Sequence, residues 1–460
     1  MSTAMTMIAT LPERLQLFLQ SLFEDDMLVE DRPVAYSFQV PLLPIGGGGG
    51  GTMDVLLPKL DFWQQLIYLL IIQVIFLLAF AVVIHQCIIV PYRDEKGNKI
   101  NSTSVFPYLL GYGILIPIVL QLPYPIITYL KLRNHVLRMS LAVLPSNVTF
   151  RCIEAMHGTS PSPAVEESLQ NYLTYYSVLI DYVWNDKTRK RERITPKQFA
   201  SLMGQMGMHF CGVSIMLSWL LNCEQKFKPF GPSNLKLDSY QIAWKPNDLA
   251  NNYVYAVTLF FILSLSFSVG GLSNNIQGYL TRKAFLNPLW TSTSPQDFWG
   301  RKWNRVIHEQ LKRGAFLPLV KAGGYSKRIG ILGAFLASGF LHDYVWSVLF
   351  YKSIHEYDDE TGELYPTSTF TPLPFKQSVF FLWCALTMVL ERPIAKWKVV
   401  QWMSIHLPLI VKSTLIVLTA LPFAHYYGGD WMMGNYFDEY SHGVFRFIYH
   451  PAASTGTSGA

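Results

Sequence analysis

Two stretches of this chain carry side chains able to do chemistry in an otherwise apolar setting. In "SPQDFWGRKWNRVIHEQLKR", residues 294–313, the rings Phe298, Trp299 and Trp303 alternate with Arg301, Lys302, Arg305, Lys312 and Arg313, beside Asn304 and His308. In "KRIGILGAFLASGFLHDYVWSVLFYK" a single imidazole, His342, lies at the fifteenth position from Arg328, with Asp343 after it. An ionisable group at membrane depth is costly, so it usually faces a protein interior or a wet cavity and marks a functional path. An imidazole withdrawn from water tends to stay neutral and can take a proton, for example from an alcohol. An amide such as Asn304 at a wet–dry boundary can hydrogen-bond inside a pocket while neighbouring cations draw a phosphorylated ligand. Simpler readings stand beside these: an interfacial helix with tryptophans at headgroup depth, and a His342 that only bonds a neighbouring helix.

The remaining motifs are weaker. His209 in "MGMHFCG" reads as a helix-packing imidazole, and "HYYGGD" holds an H-x-x-x-x-D string, His425 and Asp430, of a kind known in some glycerolipid acyltransferases. No G-x-S-x-G elbow is present, which removes support for a serine acyl-enzyme. The five cysteines form no C-x-x-C or Cys/His cluster, so neither a disulfide framework nor a zinc site is expected, and no metal or cofactor is called for. No nucleic-acid module is visible. A transporter with His342 as proton relay is the reading from another class; Lys412 is its other embedded charge, and matching halves are lacking.

These residues need a membrane scaffold. Half of the 460 residues are hydrophobic and 15% charged, against about a quarter in soluble domains, and the net charge is +6. Apolar stretches at 66–90, 105–130, 203–222, 252–272, 328–351, 376–391 and 405–427 are long enough to span. The fold expected is all-α, a polytopic membrane protein of roughly 7–9 spans with cytosolic amphipathic helices. Pro107, Pro117, Pro123 and Pro125 should kink or break the second span. With the N-terminus placed in the cytosol, Lys and Arg concentrate inside, including "NDKTRKRER" at 185–193 and the segment at 294–313, while the acidic loop "EYDDETGE" falls outside.

Ser294, Pro295 and Asp297 form a helix-start signal. Turning about 100° per residue puts Trp299, Trp303, Val306, Ile307 and Leu311 on one arc, Asn304 and His308 at its edge, and the cations beyond. Residues 164–184 read as a further interfacial helix. Residues 1–58 read as an amphipathic helix ("LPERLQLFLQSLFEDD") and a flexible tether around the glycines from Gly46 to Gly51. The core runs 59–430 and a tail 431–460.

"SPQDFWGRKWN", followed 38 residues after Asn304 by His342 in "FLASGFLHD", resembles the membrane-bound O-acyltransferase superfamily, and within it the plant-type wax synthase branch with its F-W-G-R-[RK]-W-N and S-G-x-x-H-[ED] signatures. The likeness covers about residues 250–400. It implies a helical enzyme of the endoplasmic reticulum membrane that passes an acyl group from acyl-CoA, a co-substrate, to a long-chain alcohol or other lipid hydroxyl. His342 and Asn304 are then the catalytic pair. Trp299, Arg301, Lys302, Trp303, His308, Ser338, Asp343 and Trp346 are expected to bind substrate. "WNRVIHEQ" and "HDYVWSV" also resemble the diacylglycerol and sterol acyltransferase branches, where a His stands at the position of His308, so the acceptor stays open between these classes. An oligomer is compatible with such a protein and not required by it.

Overall fold

The computed structural model describes residues 17–18, 21–23, 37–42, 51–93, 104–130, 132–178, 180–185, 187–188, 190–223, 227–351, 355–357, 364–366 and 370–450. Most of the expected N-terminal helix, the run Gly46 to Gly50, parts of the basic stretch at 185–193 and most of the acidic loop lie outside these residues. The remainder is a bundle of helices: α1 (Leu60–Ile84), α2 (Phe106–Tyr129), α3 (His135–His157), α4 (Pro196–Asn222), α5 (Pro246–Ile276), α6 (Arg305–Leu311), α7 (Lys327–Leu349), α8 (Lys376–Ile394), α9 (Lys398–His406), α10 (Leu409–Leu418) and α11 (Ala424–Met433). Among the described residues, five helices are long and apolar enough to cross a membrane, and the pair α8 and α9, bent by 98°, makes a sixth if it counts as one span. The protein is therefore a mostly helical, polytopic membrane protein.

Local chemistry sets the helix ends. Thr195 and Gln198 form a reciprocal capping box ahead of Pro196, satisfying amides that α4 would leave unpaired. Asn134 Oδ1 accepts from the Val136 and Leu137 amides to start α3, and Gly158 ends it at φ 64°, a left-handed backbone that glycine adopts without penalty. Along α2 the expected break does not occur: the segment runs as one helix from Phe106 to Tyr129, with a wider turn at Gly111–Leu115 and prolines at the starts of its sections. The stretch at 164–184 departs from its reading. It makes only the short helices Pro163–Glu166 and Leu169–Tyr176, and the tyrosines 172, 175 and 176 are enclosed in the interior rather than laid on a surface.

The largest departure is α3. It runs between the same two ends of the bundle as the spans: Arg138 donates to the carbonyls of Leu349 and Tyr351 at one end, while Glu154 meets Arg313 at 2.9 Å at the other. Hydropathy misses it because Arg138, Arg151 and Glu154 are enclosed by protein, where ion pairs and carbonyls rather than lipid surround them. Beside the five apolar spans and the bent α8–α9 pair, α3 and α4 are two further long helices among the described residues. The Lys59 amide and Trp63 Nε1 donate to the carbonyls of His442 and Gly443 (both 2.8 Å), so α1 starts at the end that holds residues 349–351 and 434–450, opposite the basic segment.

That end also carries strands absent from the all-α reading. β1 (Ser37–Leu42) pairs antiparallel with β2 (Gly51–Leu56), and β2 pairs antiparallel with β3 (Arg446–His450). The segment read as a tether is thus strand on both sides of the glycines, and the tail is joined to it. Alternating Phe38, Val40 and Met53, Val55 give each strand a two-residue period, with Val55 of β2 buried and β1 mostly exposed.

Candidate active site

α7 presents the histidine. Ser326 caps its start, Oγ accepting from the Ile329 amide at 3.4 Å, and His342 sits about 21 Å along the axis from Arg328. α7 lies unusually close to α8: a Cβ on Gly339 would stand 2.5 Å from Ser378 Cα, so only glycine fits. Asp343 fastens the same contact, accepting from the Gln377 amide at 3.3 Å and from the Ser378 hydroxyl. The imidazole of His342 stacks on Phe381 (4.4 Å between centroids, 28°) and meets Tyr427 edge-on at 5.2 Å. Its Nδ1 is 2.6 Å from the Ser338 carbonyl. A carbonyl can only accept, so Nδ1 carries the proton and Nε2 is left with a lone pair and no partner among the described residues.

The helix expected from Ser294 does start there, with Ser294 Oγ accepting from the Asp297 amide at 3.1 Å, but it does not continue. Residues Phe298–Lys302 form a wide turn, Trp303 is extended, and Asn304 adopts a left-handed backbone at φ 40° before α6 begins. Asparagine is among the few side chains that tolerate this conformation, and here it also caps α6, Oδ1 accepting from the Ile307 amide at 3.3 Å. The single arc expected from periodicity is therefore broken at its centre. Its effect is to spend the carbonyl of the Asn304 amide on the helix and leave Nδ2 without a partner among the described residues.

Both residues line one cavity of about 520 Å³. Trp299, Arg301, Trp303, His308 and Ser338 line it with them, while Lys302, Asp343 and Trp346 do not. Lys302 is held 2.9 Å from Asp297, whose carboxyl is driven up by burial and, more strongly in sum, held below its usual range by Lys302 and Thr293. Asp343 is used in the α7–α8 contact. Trp346 donates to Asp430 at 2.7 Å, beside the enclosed Lys376–Asp430 ion pair at 2.6 Å. The H-x-x-x-x-D string is divided in the same way: His425 Nε2 bonds the Gln241 carbonyl at 2.8 Å, and neither His425 nor Asp430 lines the cavity. His209 packs edge-on against Phe260 and Phe261, also away from it.

The cavity is chemically graded. Arg301, Lys312, Lys327, Arg328 and Arg392 stand among its walls with no carboxylate, and aromatic and aliphatic side chains of α5, α7, α8 and α10 supply most of the rest. Trp299, packed edge-on against Phe298, Trp303, Phe335 and Phe380, belongs to that wall. His308 faces the same space, and burial lowers its pKa from the usual 6.5, keeping it neutral near pH 7. Tyr427, which the sequence reading passed over, lines the cavity against His342. Among the described residues no group of three or more His, Cys, Asp or Glu could hold a metal ion.

This combination defines a class, a polytopic helical protein with a neutral histidine at the inner reach of a cation-rimmed apolar cavity. Residues 282–356, which contain both Asn304 and His342, match the membrane bound O-acyl transferase family. Acyl-CoA–sterol O-acyltransferase 1 of Arabidopsis thaliana is 24% identical over 117 residues, 24% of this chain and 34% of that protein. Probable long-chain-alcohol O-fatty-acyltransferase 9 of the same plant is 36% identical over 66 residues (13% of this chain, 19% of that one). Probable long-chain-alcohol O-fatty-acyltransferase 7 is 33% identical over 63 residues (12% and 19%). The matches span 19 to 34% of the length of these relatives. In this region the chain is thus similar to the membrane bound O-acyl transferase family, its wax synthase-like branch included.

Proposed function

We propose that the protein transfers an acyl group from acyl-CoA to the hydroxyl of a membrane lipid, a long-chain alcohol in the first instance, giving a wax ester. The observation that carries this reading is the free Nε2 of His342 in a cavity whose walls are apolar and whose only charges are cationic among the described residues. Such a space suits a ligand with a polyanionic head and a long apolar chain. In this scheme the phosphates of acyl-CoA lie against Arg301, Lys312 and Arg328, and the thioester reaches inward. The alcohol arrives from the bilayer. His342 Nε2 takes the hydroxyl proton as the oxygen attacks the thioester carbon, and Asn304 Nδ2 donates to the donor and helps hold the developing negative charge. The C–S bond then breaks and the imidazolium returns its proton to the departing thiolate.

A sterol acceptor is the second reading, favoured by the likeness to a sterol-acylating relative and by His308 in the wall; diacylglycerol belongs to the same group of acceptors. The reading extends to the endoplasmic reticulum membrane on the family resemblance alone. For a solute transporter the second charge stands apart from the cavity: Lys412 Nζ donates to the Ser404 carbonyl at 3.0 Å, at the bend between α9 and α10. The test is purified protein in vesicles, given labelled acyl-CoA with fatty alcohol, diacylglycerol and sterol side by side. A labelled wax ester supports the first reading, a steryl ester or triacylglycerol the second, and thioester left intact with all three overturns both.

A further inference from the structure

We propose that Tyr427 is a catalytic residue of this site, its phenolic O–H donating to the oxygen that becomes negative when the thioester carbonyl is attacked. The inference rests on the acyl-transfer reading and adds a group to it. Tyr427 shares the cavity with His342, Asn304 and Ser338. Its ring is fixed on several sides: it stacks on Phe380 (5.8 Å, 21°) and Trp346 (6.2 Å, 22°), and it meets Phe381 and Trp431 edge-on at 5.8 and 6.3 Å. Trp346 is itself tied to Asp430, so the phenol is held by a rigid aromatic group anchored on an enclosed ion pair.

The hydroxyl sets this tyrosine apart from others in the bundle. Tyr426 donates to the Tyr240 carbonyl at 2.7 Å, Tyr344 to the Leu120 carbonyl at 3.0 Å, and Tyr175 to Glu154 at 2.5 Å. Tyr172 and Tyr176 lack partners but are enclosed, away from the cavity. Tyr427 has neither a partner among the described residues nor an enclosed oxygen. A withdrawn hydroxyl left unpaired is unfavourable, and a preorganised donor beside a proton acceptor is the arrangement that stabilises a tetrahedral oxyanion. An oxyanion accepts more than one hydrogen bond, so Tyr427 complements Asn304 Nδ2, whose own oxygen is spent on α6.

The step balances. The alcohol oxygen forms a bond to the carbonyl carbon, its proton passes to His342 Nε2, and the carbonyl oxygen takes the negative charge under the Tyr427 hydroxyl, which keeps its proton. On collapse the C=O bond re-forms, the C–S bond breaks, and imidazolium protonates the thiolate. Nothing beyond acyl-CoA and the alcohol is consumed.

The experiment is Tyr427→Phe, which preserves the ring, in full-length protein in vesicles with acyl-CoA and the acceptor that wild type uses best. The expected result is a kcat lower by about 10²–10³-fold, the effect of losing one oxyanion donor, with the Kd of a non-cleavable acyl-CoA thioether unchanged. Binding of an acyl trifluoromethyl ketone, which offers a tetrahedral oxyanion, should weaken in the same variant. Full kcat in Tyr427→Phe, or a loss that follows weakened thioether binding, overturns the assignment. Inactivity of wild type with every acceptor instead removes the acyl-transfer reading on which it rests.

Discussion

His342 and His425 look alike in the sequence. Each is an imidazole on an apolar helix with an aspartate close behind, Asp343 in one case and Asp430 in the other. The structure treats them oppositely. His342 bonds its own helix through Nδ1 and keeps Nε2 for the cavity, while His425 spends Nε2 on the Gln241 carbonyl of a distant loop and leaves Nδ1 enclosed. Asp343 only fastens α7 to α8, whereas Asp430 is the centre of an enclosed set with Lys376, Trp346 and Gln377. The same residue types build a candidate reactive centre where the leftover nitrogen opens on a cavity, and a brace where it is sealed inside the protein.

The largest expected effect comes from exchanging these roles. His342→Ala should lower kcat by about 10³-fold, the scale of a lost general base, with the detergent melting temperature little changed, whereas His425→Ala should keep kcat within about threefold and lose about 1 kcal/mol of stability. A His342→Ala protein that aggregates while His425→Ala is inactive would reverse the comparison. Next comes the brace. Lys376→Met leaves Asp430 charged and enclosed, so it should cost about 3–5 kcal/mol, and Lys376→Met with Asp430→Leu should recover much of that, as read by thermal denaturation in detergent. A smaller effect is expected at the rim: Arg301→Ala and Arg328→Ala should each raise KM for acyl-CoA several-fold, less so at high salt, with kcat nearly constant.

The smallest effect concerns pH. Burial depresses the pKa of His308 below its unfolded value near 6.5, so unfolding takes up a proton. Its contribution is fully present above that pH and is lost as pH falls through the folded value, and His308→Gln should flatten the decline in stability between pH 7 and 5.

How far the sequence could be read follows from what hydropathy and spacing measure. The apolar helices were legible in hydropathy, and a lone imidazole in a greasy run and an amide among tryptophans stood out as candidates, but their pairing came from the family resemblance and not from spacing. α3 was not legible, because Arg151 and Glu154 read as surface charges until Asp181 and Arg313 arrive from elsewhere in the chain. The start of α1 also lies at the end of the bundle opposite the basic segment, whereas the charge count had set the two together. Nor could periodicity foresee the left-handed turn at Asn304, which depends on one residue's backbone tolerance. Tyr427 was hidden for the opposite reason: it stands among many aromatics, and only an unpartnered hydroxyl together with a place in the cavity wall distinguishes it. Lys302, Asp343 and Trp346 carried the right neighbourhood and the wrong direction, each side chain turning to a structural partner.

The pairing of β2 with β3 joins residues almost four hundred positions apart. During synthesis the first of these strands emerges long before its mate, so it must wait while the helices between them insert and assemble. Closing that ribbon is then a late stitch, a contact of long sequence separation that only an assembled bundle can bring together.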